Sequence, residues 1–151
     1  IKSSAASDVY KRQVLQELNI GFVAFSPLAN GFLTARYNKE SRFEKGTDYR
    51  SVMPQFTPEA MEKNKEMMAY LMELADRKNA TPAQISLAWM LAKESWIVPI
   101  PGTRKYSRLI ENAQAAEVKL EEQEVKELDR MLDTVPMSEV FGGSRVERKN
   151  N

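Results

Sequence analysis

IVPIPGTRKYSRLIEN, residues Ile97 to Asn112, is the stretch of this 151-residue sequence from which the fold can be inferred. Its first four residues are apolar and mostly β-branched, which is typical of a buried strand. Pro101 and Gly102 then indicate a turn, and apolar residues at helical spacing begin at Tyr106. The stretch predicts a strand, a tight turn and the start of a helix.

The turn after this strand is locally basic. No acidic residue occurs between Glu94 and Glu111, and the basic residues in that interval are Arg104, Lys105 and Arg108. Free N–H groups at a helix N-terminus already favour an anion, Thr103 adds a hydroxyl, and Gly102 lets the backbone approach a ligand. The turn is therefore a candidate phosphate site. The alternative is a solvated turn whose basic residues only keep the surface soluble.

A second strand is predicted at residues 22–25, FVAF. The run is short, aromatic and β-branched, as expected of a fully buried parallel strand. Asn19, just before it, suits the left-handed end of a preceding helix. Polar and turn-forming residues follow from Ser26 to Gly31, at the carboxyl end of the strand, which is the ligand face of parallel α/β folds.

Residues 34–57 show no sustained periodicity. A loop longer than about 15 residues is usually functional or mobile. We therefore expect either a cover over the strand ends or a surface excursion with no role in binding.

Two helices are predicted between this loop and the strand at Ile97. Thr57 and Pro58 begin the first, whose methionine-rich face is interpreted as core, and Asn79 ends it. The second starts with a capping box over residues 81–84, TPAQ, and its Trp89 is expected to cover the sheet.

Composition excludes several classes of function. The 22 Lys and Arg nearly balance the 21 Asp and Glu, so nucleic-acid and membrane partners are not supported. There is no Cys and no His, which excludes disulfides, cysteine metal sites and a histidine base. No apolar run approaches the roughly 18 residues of a membrane helix, and a cytoplasmic protein is expected.

The two strands are separated by helices and must pair in parallel through right-handed crossovers. A two-stranded parallel sheet cannot bury both faces, so the chain is expected to be incomplete on its own. A (β/α)₈ barrel typically needs about 250 residues.

Three segments resemble the carboxyl-terminal part of the aldo-keto reductase family. They are the segment from Val14 to Leu33 with LNIGFVAFSPLANGFL, the segment from Thr81 to Trp89 with TPAQISLAW, and the segment from Ile97 to Val118 with IVPIPGTRKYSRLIENAQAAEV. The resemblance implies an α/β fold that is the C-terminal portion of a (β/α)₈ TIM barrel, with NADP as cofactor and a small aldehyde or ketone as substrate. Residues 1–13 are then a non-family leader, 14–145 the barrel part and 146–151 a frayed tail.

The resemblance also assigns cofactor-binding residues. The end of the first strand would line the pyrophosphate channel with Ser26, Pro27, Leu28, Asn30 and Gly31. The turn after the second strand would bind the 2′-phosphate with Gly102, Thr103, Arg104 and Arg108, and the adenine with Glu111 and Asn112. Ala29 stands where many relatives have Gly, a departure expected to shift the loop backbone.

The family's catalytic Asp, Tyr, Lys and His have no matching positions in this sequence, so no catalytic residue is assigned. The leading interpretation is the cofactor-binding half of an NADP-dependent oxidoreductase, inactive on its own. The alternatives are a non-catalytic nucleotide-sensing subunit and an autonomous small α/β domain. No particular substrate and no oligomeric state is assigned.

Overall fold

The computed structural model describes residues 13–134, with side chains up to Met131. Residues 13–17 are helical and precede β1. The elements that follow are β1 (Phe22–Phe25), a 3₁₀ helix (Ala29–Thr34), two short 3₁₀ helices (Tyr49–Val52 and Pro54–Phe56), α1 (Pro58–Lys63), α2 (Lys65–Arg77), α3 (Pro82–Lys93), β2 (Ile97–Ile100), α4 (Tyr106–Gln114), a 3₁₀ turn (Ala115–Glu117) and α5 (Glu122–Thr134). The predicted leader, apart from residue 13, and the predicted tail lie outside the described residues.

The two predicted strands form a parallel pair. Phe22 is in register with Ile97 and Phe25 with Ile100, and the amide of Phe22 donates to the carbonyl of Trp96 at 2.8 Å. Both strands therefore end at the same edge, which brings the segments after Phe25 and after Ile100 together. The parallel pairing predicted from the intervening helices is confirmed.

The prediction that β1 is fully buried is wrong. Phe25 is 80% exposed and Val23 is 57% exposed. Within residues 13–134, β1 makes its extensive contacts with β2, whereas the apolar helix faces pack against one another. The aliphatic and aromatic residues of β1 identify a strand correctly, but burial also needs an element that covers it.

Helices form the core instead. Phe32, Leu74, Ile85 and Leu87 are at most 1% exposed, and α2 packs along α3. Met61 and Met67 of the first predicted helix belong to this core and Met68 packs against it, as expected. That helix is divided into α1 and α2 at Asn64, which is fully buried and donates from Nδ2 to the carbonyl of Ala60 at 2.7 Å.

The predicted helix ends are confirmed. Asn19 and Asn79 both adopt positive φ, at 53° and 50°, which is the left-handed geometry that Asn tolerates after a helix. At the start of α3, Thr81 Oγ1 accepts the amide of Gln84 at 3.2 Å, and Gln84 Oε1 accepts the amide of Thr81 at 2.9 Å. This reciprocal pair is the predicted capping box.

Trp89 differs from its prediction. Its indole Nε1 donates to Asp129 of α5 at 3.0 Å, and the Lys93 ammonium lies 5.0 Å from the ring centre. The ring is therefore oriented toward the last helix, because a half-buried indole is most stable where its N–H finds an acceptor.

Residues 34–57 form a long connection, as predicted, but one that is anchored to the core. Tyr37, Phe43 and Phe56 contact one another edge to face, with ring centres 5.0 to 5.6 Å apart. Phe56 also packs against Phe32, 5.9 Å away. Such aromatic contacts fix the path of the connection.

Candidate nucleotide-binding cleft

A cleft of about 640 Å³ lies at the shared carboxyl edge of β1 and β2. Ten of the eleven residues predicted to bind cofactor line it: Ser26, Pro27, Leu28, Asn30, Gly31, Gly102, Thr103, Arg108, Glu111 and Asn112. Arg104 is not among the lining residues, and its side chain is exposed. Residues more than 70 positions apart in sequence therefore come together, because both strands end at one edge.

The segment after β1 is built from residues in the left-handed region. Ser26, Ala29 and Asn30 have φ of 49°, 48° and 59°, and Gly31 has φ of 94°. Three residues that carry a Cβ in this region store backbone strain, and such strain clusters at ligand sites. Ala29 thus adopts a geometry for which glycine is better suited, and the expected shift of the loop backbone stays a prediction.

Gly31 is also closely packed against the long connection. A Cβ at this position would lie 3.3 Å from Cε2 of Tyr37, so a larger residue would press on the aromatic cluster of the long connection. The close packing lets the backbone after β1 turn tightly along the wall of the cleft.

The segment after β2 presents helix α4 to the cleft. Lys105 precedes the first turn of α4, no side chain caps that turn, and no acidic residue lies in it. Thr103 Oγ1 accepts the amide of Lys105 at 3.1 Å, which orders the chain just before the helix. The free N–H groups of the first turn remain available to an anion.

Three arginines line the cleft, and they differ in whether a carboxylate neutralises their charge. Arg50 is neutralised locally, because Asp48 Oδ1 accepts from its Nε at 2.8 Å. Within the described part of the chain, neither Arg36 nor Arg108 forms an ion pair. Both line the cleft, but Arg108 is half-buried whereas Arg36 is exposed.

Arg50 has a structural role in the long connection. It donates to the hydroxyl of Tyr37, and its guanidinium lies 5.0 Å from the Tyr37 ring centre and 4.9 Å from that of Phe43. The hydrogen bond to Arg50 lowers the pKa of Asp48 below its ordinary value of 3.8. The charged pair and the aromatic rings together hold this side of the cleft in place.

Ten further residues line the cleft and were not predicted as binding residues: Thr34, Arg36, Tyr37, Tyr49, Arg50, Thr81, Pro82, Ala83, Ile100 and Pro101. Half of them belong to the long connection that begins at residue 34. The sequence pattern signalled a possible cover there, but nothing in the periodicity identified which side chains would face the strand ends. Tyr49 makes the contact directly, since its hydroxyl donates to Oδ1 of Asn30 at 2.9 Å.

The third wall of the cleft is the N-terminal turn of α3, which includes Thr81 and Pro82. Gln84 lies just behind this wall, 8% exposed, and its Nε2 donates to the carbonyl of Glu111 at 3.0 Å. Ser86, on the same helix, places its Oγ 3.1 Å from the carbonyl of Leu33 and 2.9 Å from that of Pro82, so its one proton is shared between the two acceptors. Helix α3 is therefore attached to the segments that follow both strands.

The residues present suit a dinucleotide phosphate. The cleft volume falls in the usual range for ligand pockets, about 300–1,000 Å³. An uncapped helix N-terminus, an unpaired guanidinium and a glycine-containing turn offer donors and positive charge to phosphate oxygens. This arrangement defines a class of structure. It is a parallel α/β scaffold with a candidate phosphate site at the carboxyl edge of its strands.

Comparison with known proteins identifies the family. The model of the Aldo/keto reductase family matches residues 5–133. Aldo-keto reductase yakc of Schizosaccharomyces pombe, whose name specifies NADP(+), is 40% identical over 127 residues, which are 84% of this chain and 36% of that protein. Aldo-keto reductase str7 of Strobilurus tenacellus is 37% identical over 121 residues, covering 80% of this chain and 36% of that protein. The chain belongs to the aldo-keto reductase family.

Solved structures show the same fold. Glycerol dehydrogenase AKR11B4 from Gluconobacter oxydans superposes with a TM-score of 0.72 at 21% identity, over 91% of this chain and 40% of that one. The thermostable aldo-keto reductase Tm1743 gives a TM-score of 0.52 at 28% identity, over 79% of this chain and 32% of that one. The predicted fold class, an α/β portion of a (β/α)₈ barrel, is confirmed. The chain spans about a third of the length of the curated relatives that it matches.

The family match begins at residue 5, inside the segment 1–13 that the sequence analysis sets apart as a leader. The proposed domain limits stay predictions. Among residues 13–134, no helix combines the length and apolar character that crossing a bilayer requires.

Proposed function

We propose that this chain forms the NADP-binding part of an oxidoreductase that reduces small aldehydes or ketones by hydride transfer. The observation that carries the proposal is the convergence of ten separately predicted residues on one cleft at the carboxyl edge of β1 and β2. Membership of the aldo-keto reductase family supports the reaction class. The NADP(+) in the name of the yeast relative supports the cofactor.

In this proposal the segments after β1 and after β2 bind different parts of the cofactor. The residues after β1, from Ser26 to Gly31, bind the pyrophosphate through backbone groups. Gly102, Thr103 and Arg108 bind the 2′-phosphate, Arg104 adds positive charge from outside the cleft lining, and Glu111 and Asn112 contact the adenine. When bound, NADPH supplies the hydride.

The remaining task of these residues is orientation and exclusion of water. Arg108 offsets the negative charge of the 2′-phosphate, and the N–H groups at the start of α4 add to it. Tyr49, held to Asn30, covers the strand end from the side of the long connection. A cofactor held at its pyrophosphate and at its adenosine end leaves less freedom to its nicotinamide ring, which favours transfer to a bound carbonyl.

Direct titration of the 151-residue chain with NADPH and NADH tests the nucleotide site. We expect NADPH to bind at least about tenfold more tightly, since charge-assisted contacts to one phosphate are each worth about 1.5–3 kcal/mol. Binding of both cofactors with equal affinity would argue against a 2′-phosphate site, and failure to bind either would overturn the proposal.

Turnover is a separate test. Because the family's catalytic Tyr, Lys, Asp and His have no matching positions, the chain alone should not oxidise NADPH in the presence of a generic aldehyde. Aldehyde-dependent loss of NADPH absorbance with the purified chain would show that this chain does carry a catalytic group.

A further inference from the structure

We propose that Gln84 is a positioning residue for nucleotide binding: its side-chain amide holds Glu111 and Asn112 in the geometry that receives the adenine. The inference rests on the proposed function, since it concerns the same cleft. Nothing in the sequence pattern gave Gln84 this role, because its spacing from Thr81 is fully explained by the capping box.

The side-chain amide of Gln84 makes two hydrogen bonds, one through its oxygen and one through its nitrogen. Oε1 accepts the amide of Thr81 at 2.9 Å, and Nε2 donates to the carbonyl of Glu111 at 3.0 Å. The side chain is 8% exposed, so water has little access to compete for either bond. One buried side chain thus joins the start of α3 to a residue 27 positions further along the sequence.

The carbonyl of Glu111 is available for this bond because α4 tightens near its end. The amide of Ala115, which would reach Glu111 in a regular α-helix, is directed to Asn112 and Ala113 instead. The chain then continues as a 3₁₀ turn over Ala115–Glu117. A carbonyl that loses its α-helical donor in a half-buried position needs another, and Gln84 provides it.

The bond is well placed to act on binding. Thr81 and Pro82, at the start of the helix that carries Gln84, line the same cleft as Glu111 and Asn112. The position of Glu111 relative to the start of α3 is therefore fixed by a side chain that does not itself line the cleft. Ser86 makes the corresponding attachment on the other side, from α3 to Leu33 in the segment after β1.

The experiment compares two probes and three variants of the 151-residue chain. Gln84→Glu keeps the acceptor for Thr81 but removes the donor to Glu111. Gln84→Met keeps the length of the side chain without either group, and it serves where Gln84→Glu fails to fold. Ser86→Ala is the matched control, because it removes a buried hydroxyl from the same helix whose acceptors, the carbonyls of Pro82 and Leu33, do not include Glu111. The probes are 2′,5′-ADP, which carries adenine, and inorganic pyrophosphate, which does not.

Both Gln84 variants should bind 2′,5′-ADP about five- to tenfold more weakly than the unmodified chain, as the loss of one buried hydrogen bond predicts. They should change pyrophosphate binding less than about twofold. Ser86→Ala should lower the melting temperature about as much as the Gln84 variants do. Its affinity for 2′,5′-ADP should stay within about twofold of that of the unmodified chain.

Two results would overturn the role of Gln84. One is a loss of 2′,5′-ADP affinity that follows melting temperature across all three variants. The other is an unchanged dissociation constant in the folded Gln84 variants. If the unmodified chain fails to bind 2′,5′-ADP, the proposed nucleotide site falls, and the role of Gln84 with it.

Discussion

The hydroxyl of Tyr49 donates a 2.9 Å hydrogen bond to Oδ1 of Asn30, and so joins the long connection to the turn that follows β1. The two residues are 19 positions apart, and both line the cleft. The Tyr49 side chain is otherwise exposed, so the bond contributes to the shape of the cleft more than to the core.

Replacing Tyr49 with Phe should weaken NADPH binding about threefold to tenfold, because one exposed hydrogen bond that orders the connection is lost. The effect should appear mainly in the dissociation rate, measured by stopped-flow cofactor fluorescence. Tyr70→Phe is the matched control, since Tyr70 packs against the core away from the cleft. Equal dissociation rates for Tyr49→Phe and the unmodified chain would show that this contact does not retain the cofactor.

Arg108 and Arg104 should differ in their effect on cofactor preference. We expect Arg108→Ala to weaken NADPH about 10- to 100-fold and NADH less than about threefold, because only NADPH carries the 2′-phosphate. Arg104→Ala should also weaken NADPH more than NADH, but by a smaller factor, since the exposed Arg104 side chain does not line the cleft. Isothermal titration of both variants measures this, and equal weakening of the two cofactors would place the arginine elsewhere.

Asp48 should make stability depend on pH. Its pKa is lowered by the hydrogen bond from Arg50, so the folded state binds this proton less readily than the unfolded state does. The stabilisation is therefore present above its ordinary value of 3.8 and is lost as the pH falls through the lowered pKa.

Asp48→Asn tests this, because it keeps an oxygen for the amide of Arg50 and removes the charge. Urea unfolding at a series of pH values should find the unmodified chain more stable than Asp48→Asn near neutrality, with the difference shrinking in acid. A difference that stays constant down to the acid limit would mean that the charge of Asp48 does not stabilise the fold.

Phe32→Ala should destabilise the chain by about 3–5 kcal/mol, because it removes an aromatic ring from a close-packed core. Phe32 is 1% exposed and packs edge to face on Phe56. Phe25→Ala is the contrasting variant in the same region: its ring is 80% exposed, and we expect a change within about 0.5 kcal/mol. Urea denaturation of the 151-residue chain measures both, and similar losses would contradict the described burial.

Much of the fold could be predicted because its signals are local. The capping box at Thr81, the left-handed Asn79 and the apolar runs of both strands each depend on a few neighbouring residues, and all three are confirmed. The break at Asn64 was missed because it depends on a buried side chain replacing regular helix geometry. Trp89 was placed on the sheet because nothing in its own helix indicates that Asp129 lies within reach.

The candidate site divides in the same way. The SPLANG segment after β1 and the PGTR segment after β2 could be found by their turn residues and charge. The contributions of Tyr49, Arg50 and Gln84 could not, because irregular loops have no period that says which side chains face inward. Burial of β1 was also mispredicted, since a strand's residues state a preference for burial but cannot supply the covering element.

The sequence by itself determined the order of helices and strands, the parallel pairing, the absence of cysteine and histidine chemistry, and the two segments that face the carboxyl edge. These follow from local preferences and from the residues available. Only the tertiary structure decided that Arg108 faces the cleft while Arg104 does not, that Tyr49 closes on Asn30, and that Gln84 joins α3 to Glu111. Those are contacts between residues distant in sequence, and they form only when packing of the helices fixes the relative positions of the segments.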